Sequence, residues 1–214
     1  MDCKVTYQGK EFAFAEGTKF AGIAKELLGE DIRRVMLVSY AGRLAELFKK
    51  VKGDGEIRFL TMEDKNGRRA YRRSVVFMMQ AAVERMYPDE RMDVRVHFSI
   101  SSGYYCRIFD EDGDLVVIND ELLDRLKETM MEMVAEDIPF FKYVTRTQTA
   151  QKMFADEGLH AKVRLLDYRT SSNINIYELD GGHDYFYGYM APSTGGLGGF
   201  DLLSYEEGFI LQFP

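Results

Sequence analysis

The chain has 214 residues, 46% hydrophobic and 29% charged, with only 4 prolines, which is the balance of a folded globular chain rather than a disordered one. A formal net charge of −7 repels polyanions and argues against broad non-specific nucleic-acid binding, leaving only local basic patches such as KNGRRAYRR at 65–73. Domains commonly hold roughly 100–200 residues, so one large or two small units fit this length.

The opening MDCKVTYQGK carries charge at Asp2 and Lys4 and has no apolar run of the length a secretory or membrane segment needs, so a cytoplasmic protein with no membrane partner is expected. Val5 and Tyr7 precede Gln8-Gly9, and Phe12 and Phe14 alternate with small residues after it, which predicts a hairpin. Thr18 is placed to cap a helix with the stripe Phe20, Ile23, Ala24, Leu27 and Leu28, closed by Gly29. VMLVSY at 35–40, the turn Ala41-Gly42 and IRFL at 57–60 complete a small mixed sheet over one helix, a β-grasp arrangement. The polar stretch TMEDKNGR at 61–68 marks the boundary between domains 1–62 and 63–214.

Beyond it, Val75, Met79, Ala82 and Met86 recur at helical spacing until Pro88. Val94, Val96, Phe98 and Ile100 alternate as a half-buried strand, paired through Ser101-Ser102-Gly103 to YYCRIF, with His97 facing solvent. Asn119 caps a helix carrying Leu122, Leu126, Met130 and Met133, and Thr145 with Gln148 reads as a capping box for a helix through Phe154 to Gly158. The remaining KVRLLDY, NINIYEL, DYFYGYM, FDLLSY and FILQF read as strands. The fold class is therefore α+β, a small β-grasp domain followed by an α+β domain with a mainly antiparallel sheet.

Several segments in order resemble the amino-terminal region of threonyl-tRNA synthetases. SYAGRLAEL at 39–47 is similar to the turn of their TGS domain, and YRRSVVFMMQAAVERMYP at 71–88 with SSGYYCRIF is similar to the opening helix and hairpin of their editing domain. GYMAPSTGGLGGFDLLSYEEGFI at 188–210 is similar to that domain's closing segment, and DIPF at 137–140 and AKVRLL at 161–166 extend the match over nearly the whole chain. In the family an HxxxH and a CxxxH line the pocket that hydrolyses mischarged aminoacyl-tRNA. Here Arg73 and Phe77 stand at the first pair of positions, and Phe186 and Met190 at the second. These provide no neutral imidazole and no thiolate, so a metal would lack its ligand set and water a base near neutral pH, and no catalytic residue and no metal site are expected.

The resemblance also matches Lys162 and Asp184 to a retained pocket pair and places Cys106 at a pocket aromatic. That pair is either part of a pocket that still binds something or a structural ion pair, the simpler reading. Cys106 is expected to be a packed thiol. Arg68, Arg69, Arg72 and Arg73 form either a phosphate or RNA contact or a solvated cluster balanced by Glu63 and Asp64. Tyr185, Phe186, Tyr187 and Tyr189 either stack on bases or fill a core, and core is the commoner use. PSTGGLGG at 192–199 is expected to serve conformation, and His97, His160 and His183 are too dispersed to make a site.

The chain has no GxxxxGK[ST] string, so ATP binding of that kind is not expected within it. A TGS and editing-like pair also resembles the amino-terminal half of bacterial uridine kinase-like proteins. That resemblance implies a non-catalytic binding or regulatory module, with an RNA or nucleotide ligand, ahead of a downstream kinase domain that would bring ATP and Mg. The alternative is a freestanding RNA- or tRNA-binding, or trans-editing, relative of threonyl-tRNA synthetase.

Overall fold

The computed structural model describes residues 1–214, apart from the side chains of residues 160 and 161; His160 therefore lies outside the described side chains. Strands β1 (Asp2–Tyr7) and β2 (Lys10–Ala15) form the first hairpin, turning at Gln8 and Gly9 with φ of 49° and 77°. Helix α1 (Phe20–Leu28) buries Phe20, Ile23 and Ala24. Its N-cap is Lys19 without a side-chain bond. Thr18 instead donates to the Ala15 carbonyl, because the hydroxyl closes the turn from β2 rather than reaching forward to the helix amides.

Strands β3 (Leu37–Tyr40), β4 (Arg43–Ala45) and β5 (Gly55–Leu60) complete a five-stranded sheet ordered β2-β1-β5-β3-β4, parallel only between β1 and β5. Helix α2 (Lys65–Met86) follows at once, so the second half of the polar stretch 61–68 is its first turn. Residues 74–79 are all buried, which means that α2 is covered on every side along this stretch rather than on one stripe. Strand β3 and α3 (Asp120–Glu136) pack against it, as do strands of two further sheets.

Those sheets are antiparallel throughout. One is ordered β11-β12-β7-β6, from β6 (Asp93–Ile100), β7 (Gly103–Phe109), β11 (Asp201–Tyr205) and β12 (Gly208–Gln212). The other is ordered β10-β9-β8, from β8 (Phe141–Arg146), β9 (Asn173–Leu179) and β10 (Gly182–Tyr185). The chain is thus α+β with mostly antiparallel sheets. No helix is long and apolar enough to cross a membrane.

Several local expectations are corrected. Segment KVRLLDY belongs to helix α5 (His160–Asp167), where Leu166 is buried against Phe154 of α4 (Thr147–Asp156) while Leu165 faces solvent. Thr145 is no helix cap, because it pairs with Ile174 inside β8, and ladder bonding there takes precedence over the local box. In β6 the register shifts between Val96 and Phe98; this bulge, on an edge strand, leaves both exposed. Of DYFYGYM only the first part is strand, and residues 186–193 run irregularly. By contrast, Asn119 caps α3 as expected, its side chain accepting from the Leu122 amide.

Two anchors lock α3 to its surroundings. Arg85 of α2 gives both terminal nitrogens to Glu136 at 2.9 Å and its Nε to Asp180 at 2.8 Å, the planar fork serving two carboxylates at once. Asp137, in the left-handed region that ends α3, accepts from the Ser193 hydroxyl and the Gly195 amide, and Thr194 donates to the Met133 carbonyl. The glycine-rich loop thus spends polar groups on the end of α3, which accords with a conformational role.

The junction between the small sheet and α2 demands a glycine. A Cβ at Gly67 would lie 1.9 Å from the Thr61 carbonyl oxygen. Gly67→Ala should therefore lower the unfolding free energy by about 2–3 kcal/mol, as for an overpacked core site, measured by urea denaturation.

Candidate functional site

The long helix brings Arg73, Ser74 and Phe77 under the irregular segment 186–193. Backbone outside regular structure still needs hydrogen-bond partners when buried, and the side chains of α2 supply them. Arg73 donates to the Tyr189 carbonyl through Nε at 3.1 Å and Nη2 at 2.9 Å. The Ser74 hydroxyl accepts from the Ala191 amide at 2.8 Å while donating to the Ala70 carbonyl at 2.9 Å. Gly188 is needed where the chain passes over Arg73: its φ is +133°, and a Cβ would lie 2.7 Å from the guanidinium carbon.

The four positions singled out in sequence converge here. Phe77 packs on Phe186 with ring centroids 5.2 Å apart and on Phe140 at 6.0 Å. Met190 is buried, its sulfur 3.9 Å from the Ser74 hydroxyl oxygen. Arg73 is half-buried, and burial lowers its pKa against the smaller raising effect of Tyr177. These side chains pack against one another and against backbone.

A second cluster, which sequence reasoning missed, joins the small sheet to the rest. Glu46, just after β4 and only 3% exposed, accepts from Lys142 Nζ of β8 at 3.0 Å and from the Tyr177 hydroxyl of β9 at 2.5 Å. The Met190 amide lies 3.4 Å from the same carboxylate. Lys142 also stands over the rings of Tyr177 and Tyr189, at 5.0 Å and 5.5 Å. Burial, then the bond to Glu46, raises the Tyr177 pKa well above its ordinary range. No local pattern marks these residues: Glu46 and Lys142 are 96 positions apart, and Glu46 and Tyr177 are 131 apart.

Lys162 and Asp184 meet as an ion pair at 3.1 Å, with Lys162 over the Phe154 ring at 5.6 Å. Asp184 is buried and also accepts from the Tyr185 amide. Burial pushes its carboxyl above the ordinary value of 3.8, against the pull of Lys162. Cys106 lies apart on β7, fully buried, and burial pushes its thiol up to about 12. It is a packing group, unreactive at neutral pH. Among the described residues no group of acidic, histidine and cysteine side chains is arranged to hold a metal.

The arginine cluster differs from expectation. Asp64 pairs with Arg58 and Glu63 with Arg34, so these acids do not neutralise the helix arginines. Arg68 donates to the Met62 and Glu63 carbonyls. The Arg72 guanidinium lies over the Phe213 ring at 5.1 Å, and its buried Nε has no partner among the described residues. Arg69 is exposed, with no ion pair among the described residues. Nearby, a hollow of about 610 Å³ lies between the small sheet and the start of α2, lined by Ser39, Leu44, Arg58 and Asn66.

No protein-family model matches the chain. It is 29% identical over 192 residues to the threonine–tRNA ligase of Carboxydothermus hydrogenoformans, across 89% of this chain and 29% of that enzyme. The threonine–tRNA ligases of Rubrobacter xylanophilus and Thermotoga maritima are each 28% identical over 196 residues, across 92% of this chain and 29% of theirs. The likeness extends over nearly all of this chain, which spans less than a third of the length of these curated relatives.

Two outcomes follow from the buried charges. Glu46→Leu strips Lys142 of its carboxylate and should cost about 3–5 kcal/mol in urea unfolding, whereas adding Lys142→Met should recover most of that loss. For Asp184 the raised folded pKa means that the folded state holds the proton more tightly than the unfolded state. That contribution is complete below about pH 4 and is lost as pH rises through the raised value. Asp184→Asn should flatten the stability profile in this acid range, and an unaltered slope would contradict burial as the cause.

Proposed function

We propose that this chain is a non-hydrolytic, RNA-binding relative of the threonyl-tRNA synthetase amino-terminal unit, a TGS-type β-grasp domain (1–62) joined to an editing-type domain (63–214) with a closed reaction centre. The observation that carries it is the packing of Phe77 on Phe186, beside a buried Met190 and an Arg73 engaged with the Tyr189 carbonyl. A deacylase built on these positions would need a base or a metal, and arginine, phenylalanine and methionine supply neither. Lys162 and Asp184 do not replace them, since each is the other's partner in a partly buried pair.

RNA binding is supported by the likeness to proteins named threonine–tRNA ligases and by the basic face of α2, where Arg69 and Arg72 form no ion pair among the described residues. On a chain of net charge −7 such binding is local and strongly salt-dependent. The relatives named above are synthetases rather than kinases, which puts the tRNA-related reading ahead of the kinase-linked one. A cytoplasmic location belongs to the same proposal.

The experiment pairs two measurements. Mobility shifts with tRNA at low salt should show a complex that Arg69→Ala with Arg72→Ala weakens by about tenfold or more. Incubation with mischarged aminoacyl-tRNA should leave the ester hydrolysing at its uncatalysed rate. Saturable deacylation would overturn the closed centre, and absence of any tRNA complex would overturn RNA binding.

A further inference from the structure

The segment that crosses Arg73 also carries a tyrosine that the core does not use. Tyr185 is partly buried against the small cluster of Ala150, Phe154 and Leu166. Arg169, just beyond α5, lies on it with the guanidinium carbon 4.7 Å from the Tyr185 ring centre and 5.7 Å from that of Tyr187. Tyr187 itself is 84% exposed. The arrangement is a stack built outward from the core: an anchored ring, a guanidinium laid against it, and a second ring open to solvent. Arg169 pairs with no carboxylate among the described residues, so its charge is free for a ligand.

We propose that Tyr187 and Arg169 form a stacking site for an unpaired nucleobase and its phosphate at a single-stranded RNA end. The proposal rests on the RNA-binding reading above and says where and how the strand is held. An aromatic face can stack on any base, and a guanidinium beside it can take the adjoining phosphate. Bases inside a duplex are already stacked and cannot offer a face, so an unpaired end or loop is the matching partner. Position supports the same occupant. Tyr187 is the neighbour of Gly188, which rests on Arg73, and Arg69 lies one helical turn from Arg73. The aromatic site therefore lies one residue from the segment held by α2, the helix that carries Arg69. The geometry also accounts for the ring's exposure, which packing does not.

The sequence contains no tryptophan, so Tyr187→Trp creates a single fluorescent reporter at the site. A short unstructured oligoribonucleotide should quench its emission saturably, and the same sequence held in a duplex should not. Tyr187→Ala and Arg169→Ala should each weaken binding of that oligonucleotide by about tenfold, while Tyr187→Phe retains it. Binding that persists with unchanged tryptophan emission, or that Tyr187→Ala leaves intact, overturns the stacking site alone. Quenching by duplex equal to that by single strand also overturns it. Failure of every RNA to bind overturns the stacking site together with RNA recognition itself.

Discussion

Residues 186–193 form an irregular stretch of backbone that becomes buried at Met190 and Ala191, and polar groups buried with it must be satisfied. Side chains from distant parts of the chain meet that need: Arg73 and Ser74 from α2, Glu46 just after β4, and Tyr177 of β9, whose hydroxyl lies 2.8 Å from the Gly188 carbonyl oxygen. A buried carbonyl or amide left alone would cost on the order of 1–3 kcal/mol, so these contacts decide where the segment lies. Along this segment Phe186 packs on Phe77 and Met190 lies against Ser74.

The same contacts join the two halves of the molecule. Glu46 follows β4 of the five-stranded sheet, and the partners of its carboxylate come from β8, β9 and the irregular segment. Nearby, Gly196 sits so close to the Arg33 carbonyl that a Cβ there would lie 2.3 Å from it. Such contacts leave little freedom for one half to move without unpairing a buried charge. The β-grasp-like sheet is in that sense part of the wall of the central cluster, not a separate appendage.

The outer surface is organised differently. The arginines at the start of α2 are offered without acidic partners or are spent on backbone, while the acids that sequence proximity would assign to them pair elsewhere.

What the sequence determined by itself is the local, periodic part of the fold: the hairpin of β1 and β2, the long helix ending before Pro88, the Asn119-capped helix, the β6–β7 hairpin, and the absence of imidazole and thiolate at the four positions that meet over α2. Each is legible because helix and strand periods and capping chemistry act over a few residues. Tertiary structure decided the rest. KVRLLDY is a short apolar run that fits strand or helix, and it is helical where Leu166 is buried in one cluster with Ala150, Phe154, Ile174 and Ile176. Thr145 carried a capping signal that pairing with Ile174 overrode. Glu46, Lys142 and Tyr177 carry no signal at all, because a buried charge is recognisable only from partners that folding brings from the other end of the chain.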